Sequence, residues 1–179
     1  MQDAVTKNYF ELFELPVTFD IDLNVLTQRY RELQHAVHPD KFANATDRER
    51  MLAVQQTSLI NEAHTSLKDP LLRARYMLSL AGVDITNEPE TVMDTEFLMQ
   101  QMELREQLAE IKGSQDALTN LDNFMANVKS ELKKRIQTLS ELLSDLNTET
   151  QKQAYALTQQ MQFLYKLQSE AEQIEETLL

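Results

Sequence analysis

His38-Pro39-Asp40 sets an imidazole and a carboxylate two positions apart around a proline. Two chemistries could use such a pair, proton transfer by a His–Asp dyad and metal ligation. A dyad needs a nucleophile or a desolvated pocket beside it. The loop offers neither, and the chain has no cysteine and only 2 glycines with which to build one. Ligation would recruit His35, three residues before His38, but Pro39 interrupts the helix that would align them and no second cluster completes a donor set. As a bare tripeptide the segment is a turn, with proline fixing φ and aspartate bonding nearby backbone. A second group of reactive types is Glu103, Glu106 and Glu110, which alternate with apolar Leu98, Met99 and Met102. Catalytic carboxylates need a desolvated cleft; these instead border an apolar patch, the pattern of a protein-binding surface to which methionine adds adaptable packing. No metal, no cofactor and no enzymatic activity of the chain's own are expected.

The whole sequence narrows the classes further. The 179 residues are 42% hydrophobic and 26% charged, in the range of an ordinary globular protein. With 2 glycines and 4 prolines, hairpin-rich β folds and glycine-rich phosphate loops are disfavoured. Absent cysteine removes disulfides and thiolate sites and suits a reducing compartment. The net charge of −12 argues against nucleic acid as the main partner. That charge is uneven: residues 1–82 are nearly balanced and residues 83–179 strongly acidic, as two parts with different partners would be. No apolar run reaches the roughly 20 residues that span a bilayer. The opening Met1-Gln2-Asp3-Ala4 lacks a basic start and an apolar core, so no membrane partner or secretion is expected, and the location expected is cytoplasmic.

Helices must position these groups. Tyr9 to Leu15 can form a short helix halted by Pro16. Leu26, Tyr30, Leu33 and Val37 recur at helical spacing from about Leu23, with Asp22 as N-cap, and Pro39 ends that helix. After a loop from His38 to about Ala45, Thr46 and Glu49 form a capping box for a helix through Leu52, Leu59, Ile60, Ala63 and Leu67. Asp69-Pro70 starts a further helix that stops at Gly82. Residues 83–93 lack helical period and read as a linker. Asp94 then caps a helix to Gly113 whose core face is Phe97, Leu104, Leu108 and Ile111. A long helix follows, with its stripe at Leu118, Leu121, Met125, Val128, Leu132, Ile136, Leu139, Leu143 and Leu146. Asn147-Thr148 breaks it, and Thr148 with Gln151 is spaced for another capping box. The last helix carries Leu157, Met161, Leu164, Leu167, Ala171, Ile174 and Leu178. The fold class is all-α: residues 1–82 form a helical hairpin with short flanking helices, and 94–179 a three-helix bundle.

The N-terminal pattern resembles the J-domain, the module by which co-chaperones activate DnaK-type ATPases. The resemblance runs from Asn8 to Tyr76 and rests on Tyr9-Phe10, Leu15-Pro16, His38-Pro39-Asp40-Lys41, Ile60-Asn61-Glu62-Ala63 and Leu67-Lys68-Asp69-Pro70. Val37 before the histidine, the sparse basic positions, Pro70 to Leu78, and Asp94 to Met99 ahead of an acidic bundle narrow it to the HscB family of iron–sulfur cluster assembly, over nearly the whole chain. The lack of a cysteine-bearing N-terminal segment points to the bacterial form. The resemblance implies that His38, Pro39 and Asp40 engage an HscA-type ATPase and stimulate hydrolysis, with Arg29, Arg31 and Lys41 supplying positive charge. It also implies that Leu98, Met99, Met102, Glu103, Glu106, Glu110 and Phe163 bind an IscU-type scaffold. Thinner basic charge suits a dedicated ATPase better than a general one. The alternatives are a J-protein with another client, a small helical enzyme using His38 and Asp40, and an acidic adaptor; only the last leaves His-Pro-Asp without a role.

Overall fold

The computed structural model describes residues 7–38, 46–85 and 95–178, and among these all regular structure is helical. Seven helices follow one another: α1 Tyr9–Leu12, α2 Leu23–Ala36, α3 Asp47–Lys68, α4 Pro70–Leu80, α5 Thr95–Ile111, α6 Ala117–Ser144 and α7 Thr148–Leu178. The chain divides into two compact units between Met77 and Leu78, inside α4. The first has the J-domain arrangement and the second is a three-helix bundle.

In the first unit, local chemistry sets each boundary. Asn8 and Glu11 cap α1 reciprocally, but the helix stops at Leu12 and not near Leu15. Phe13 and Glu14 turn the chain instead, Glu14 in the left-handed region at φ +53°. Asp22 caps α2 by accepting from the N–H groups of Asn24 and Val25. Thr46 and Glu49 form the expected capping box: the Glu49 carboxylate accepts the Thr46 N–H at 2.8 Å, and the Thr46 hydroxyl accepts the Glu49 N–H. The Asp69 carboxylate accepts the Leu72 N–H at 2.9 Å, with Pro70 as the first residue of α4. Past the division, at the C-terminal end of α4, Gly82 takes φ +84°, Val83 N–H reaches the Leu78 carbonyl and Gly82 N–H the Ser79 carbonyl. That pair of bonds is a Schellman motif, which glycine reaches without strain.

The core of this unit gathers Phe10, Phe13, Phe19, Leu26, Ile60 and Leu67. The small side chains of Ala53 and Ala63 on the buried stripe of α3 let neighbouring backbones approach. Leu52 and Leu59, expected with that stripe, lie beside it at 46% and 41% exposure. An aromatic stack binds α1 to the rest. Tyr9 stacks on Tyr76 at 4.2 Å, its N–H donates to the Tyr76 hydroxyl, and its own hydroxyl donates to Glu62 at 2.7 Å. Burial, then that bond and the Glu62 charge, raise the Tyr9 phenol to about 12. Arg73 is buried with its guanidinium 4.8 Å above the Phe19 ring and donates to the Leu67 carbonyl.

In the second unit α6 and α7 pair along their lengths and α5 lies against both. The buried face of α5 is the expected one, Phe97, Leu104, Leu108 and Ile111. The seam of α6 keeps the expected phase at Leu121, Val128, Leu132, Leu139 and Leu143 and departs from it elsewhere. Phe124 is buried while Met125, Ile136 and Leu146 are half-buried and Leu118 is 42% exposed. On α7, Ala154, Tyr155 and Thr158 are buried where Leu157 was expected. The Thr158 hydroxyl donates to the Tyr155 carbonyl, so its burial leaves no orphan donor. The α7 cap also falls one residue earlier than Thr148 and Gln151 suggested. Asn147 accepts from Glu149 and Thr150 N–H, and the Thr150 hydroxyl accepts the Asn147 N–H. Asparagine is as good an N-cap as threonine, and here a hydroxyl takes the reciprocal place of a carboxylate. The expected Asp94 cap of α5 lies outside the described residues.

Candidate functional sites

The first site is the C-terminal end of α2. The helix ends at Ala36, Val37 closes it with an N–H bond to the Leu33 carbonyl, and exposed His38 follows. Pro39, Asp40 and Lys41 lie outside the described residues. Upstream of His38, α2 is clamped by α3. A single acceptor, Asn61 Oδ1, takes the Tyr30 hydroxyl at 2.9 Å and the Gln34 amide at 2.5 Å, which fixes two successive turns of α2. Tyr30 also stacks on His64 at 4.0 Å. His64 Nε2 is buried without a hydrogen-bond partner, and burial, then Lys68, push its imidazole below the ordinary value.

The basic residues of α2 are not equivalent. Arg29 bridges to Glu14 at 2.9 Å and Glu32 at 3.3 Å, so its charge is answered within the chain. Glu32 is held below the usual carboxylate range by bonds from Gln28 and Arg29. Arg31 is exposed and makes no ion pair among the described residues. Of the two, Arg31 is the cation available to a partner.

The second site is the outer surface of α5. Leu98, Met99 and Met102 are 41%, 67% and 66% exposed, and Glu103, Glu106 and Glu110 are exposed as well. At about 100° per residue, Leu98 and Met102 share a flank with Arg105, while Met99 and the three carboxylates occupy the opposite flank. Phe163 of α7 belongs to the Arg105 flank: it is half-buried, meets Phe97 edge-on at 5.9 Å and lies under the Arg105 guanidinium at 5.5 Å. It thus serves the bundle as well as the surface.

Sequence reasoning missed a polar junction beneath this surface. Arg135 of α6, 11% exposed, donates to Glu131 at 2.7 Å, to Gln160 of α7 at 3.0 Å and to Gln100 of α5 at 3.1 Å. Bonds from Lys134 and then Arg135 hold the Glu131 carboxyl below its usual range. One guanidinium therefore ties all three helices together under the candidate binding face. The i,i+4 spacing of Glu131 and Arg135 was legible; the two glutamines come from other helices and were not.

Comparison with known proteins bears on both units. Residues 93–172 match the model of the HSCB C-terminal oligomerisation domain. The chain is 48% identical over 171 residues to a co-chaperone HscB homologue of Shewanella woodyi, covering 96% of this chain and 98% of that one. Among solved structures it is similar to the chaperone HscB of Vibrio cholerae, with 39% identity, a TM-score of 0.84, and 97% and 100% of the two chains covered. It is also similar to the human co-chaperone HscB, with 27% identity, a TM-score of 0.86, and 98% and 85% covered.

Proposed function

Because the chain belongs to the HscB co-chaperone family, we propose that it binds an IscU-type iron–sulfur scaffold on α5 and presents it to an HscA-type ATPase. In this reading the ATPase meets α2 and the His38-Pro39-Asp40-Lys41 segment, which stimulates ATP hydrolysis and so promotes cluster maturation or transfer. The chain itself carries out no turnover. The cytoplasm is the compartment proposed, and no helix among the described residues is long and apolar enough to cross a membrane.

The observation that carries the reading is that Leu98, Met99 and Met102 project away from the face of α5 that builds the core. Apolar side chains on a side the bundle does not use are anchors for a partner, and a few such anchors supply most of an interface's energy. Glu103, Glu106 and Glu110 around them would steer a basic partner and act more on association rate than on the final contact. Exposed His38, two residues beyond the end of α2, supports the ATPase half of the reading, because it presents an imidazole at the surface next to a helix anchored on α3.

Two variants of the full chain test the halves separately. Leu98→Ala/Met99→Ala/Met102→Ala should weaken scaffold binding by about 2–4 kcal/mol in calorimetry while leaving the melting temperature nearly unchanged. His38→Gln should keep scaffold binding and abolish stimulation of the ATPase. Normal scaffold binding by the first, or normal stimulation by the second, would reject the corresponding half.

A further inference from the structure

Beside the anchors of α5 runs a groove whose α6 side none of the roles above uses; Met99, Glu103 and Glu110 lie on its α5 side. Its α5 wall presents Glu96, Gln100, Glu103, Gln107 and Glu110 in alternating steps of four and three. Its α6 wall presents Asn120, Asn123, Asn127 and Glu131. Two open clefts lie along it, one of about 530 Å³ at the N-terminal end of α5 and one of about 430 Å³ at the C-terminal end. The lining also includes buried Phe97, Ile111 and Phe124, and at the N-terminal cleft Arg135 and Gln160.

The polar groups on the walls are unequally satisfied. Gln107 donates to Glu103 at 3.4 Å, Asn120 donates to Ser114 at 3.2 Å, and Glu131 is taken by Lys134 and Arg135. Asn123 and Asn127 make no hydrogen bond among the described residues. Each carboxamide offers one acceptor and two donors, which is what a peptide unit complements. Four residues along a helix rise about 6 Å, close to the roughly 6.6 Å between alternate residues of an extended strand. A helical ligand would keep its backbone groups to itself and leave the two amides unmatched. Exposed Glu103 and Glu110 on the opposite wall make no ion pair among the described residues, and Arg135, the cation of the N-terminal cleft, is held by Glu131, Gln100 and Gln160.

We infer that the α5–α6 groove holds an extended, lysine- or arginine-bearing segment of the scaffold partner, with Asn123 and Asn127 bonding its backbone. From Glu96 to Glu110 the groove spans about 21 Å, room for about six extended residues. The inference rests on the proposal that α5 binds the scaffold, and adds a second contact on the α6 side of the anchors.

Calorimetry of the full chain with the scaffold protein separates the two. Asn123→Ala/Asn127→Ala removes exposed amides without internal partners from the interior of α6, so melting should not fall, and should rise slightly with helix propensity, while scaffold affinity falls about tenfold. Asn123→Gln/Asn127→Gln, which keeps both amides, should recover part of that loss, which a merely structural effect of the alanines would not allow. Glu103→Gln/Glu110→Gln should flatten the salt dependence of binding. If the double alanine variant binds as the parent does while Leu98→Ala/Met102→Ala binds weakly, the groove is empty in the complex and the inference fails alone. If both bind normally, the scaffold does not meet α5 and the inference falls with the proposal. An unchanged salt dependence would overturn the basic character of the segment.

Discussion

Replacing Arg135 by methionine would remove the one charge that touches all three helices of the bundle while keeping an unbranched stem beside Phe97. The side chains of Arg135 and Glu131 are 11% and 19% exposed, so the pair is largely shielded from solvent. Removing one member of a buried pair costs about 3–5 kcal/mol, most of it the penalty of the charge left behind. Here the cost is smaller, because Glu131 keeps Lys134 at 2.7 Å and the adjoining cleft lets water reach Gln100 and Gln160. About 2–3 kcal/mol remains, which is roughly 10–20 °C in the melting temperature of a unit near 100 residues. The assay is urea denaturation of the full chain followed by circular dichroism, with hydrogen exchange of the α5 amides to assign the loss to the bundle. Arg135→Met combined with Glu131→Gln should cost less than the two single changes added together, by at least about 1 kcal/mol. A single-variant change below about 0.5 kcal/mol, or α5 amides that exchange no faster, would show that Arg135 does not hold α5 in place.

Two further outcomes follow from His64 and from Gly82. His64 is disfavoured as imidazolium when folded, so the unfolded chain binds more protons than the native one between the depressed folded value and the ordinary value of 6.5. Stability should therefore be fully present above that ordinary value and decline as pH falls below it; His64→Phe should remove this component of the decline in a pH series of denaturation curves, and an unchanged profile would count against it. Gly82→Ala meets no atom within 4 Å, so its cost is conformational alone, about 1 kcal/mol for a side chain held at φ +84°; a neutral result in thermal melting would mean the Schellman turn relaxes freely.

Most helix boundaries set by local bonds were legible in the sequence, though the end of α1 at Leu12 and the Asn147 cap of α7 were not. Asp22, the Thr46–Glu49 box, Asp69-Pro70 and Gly82 all act through bonds to residues within a turn or so, and each stands where spacing put it. The face of α5 was equally legible, because its four core residues return at helical period while Leu98, Met99 and Met102 fall off that face. On α6, Phe124 and Met125 both fit the period, and only the neighbouring helices decide which enters the seam. Leu52 and Leu59 are the same problem reversed, since apolar type does not reveal how wide a strip the partner helices cover. The candidate site divides along the same line. Exposure of Leu98, Met99 and Met102 followed from one helix, whereas the Arg135 junction and the groove of Asn123 and Asn127 require residues from two or three.

The bridge from Arg29 to Glu14 has a kinetic consequence for any partner that approaches α2. A guanidinium already answered by two carboxylates contributes little field beyond the Debye length of about 8 Å at physiological salt, which leaves Arg31 as the outward cation of that helix. Encounter on this face then gains little from long-range attraction and proceeds near the unsteered rate of about 10⁵–10⁶ M⁻¹s⁻¹. Such an encounter is nearly indifferent to ionic strength. Selectivity would therefore be exercised after collision, in how long a partner dwells against the exposed end of the helix, and less in how quickly it arrives.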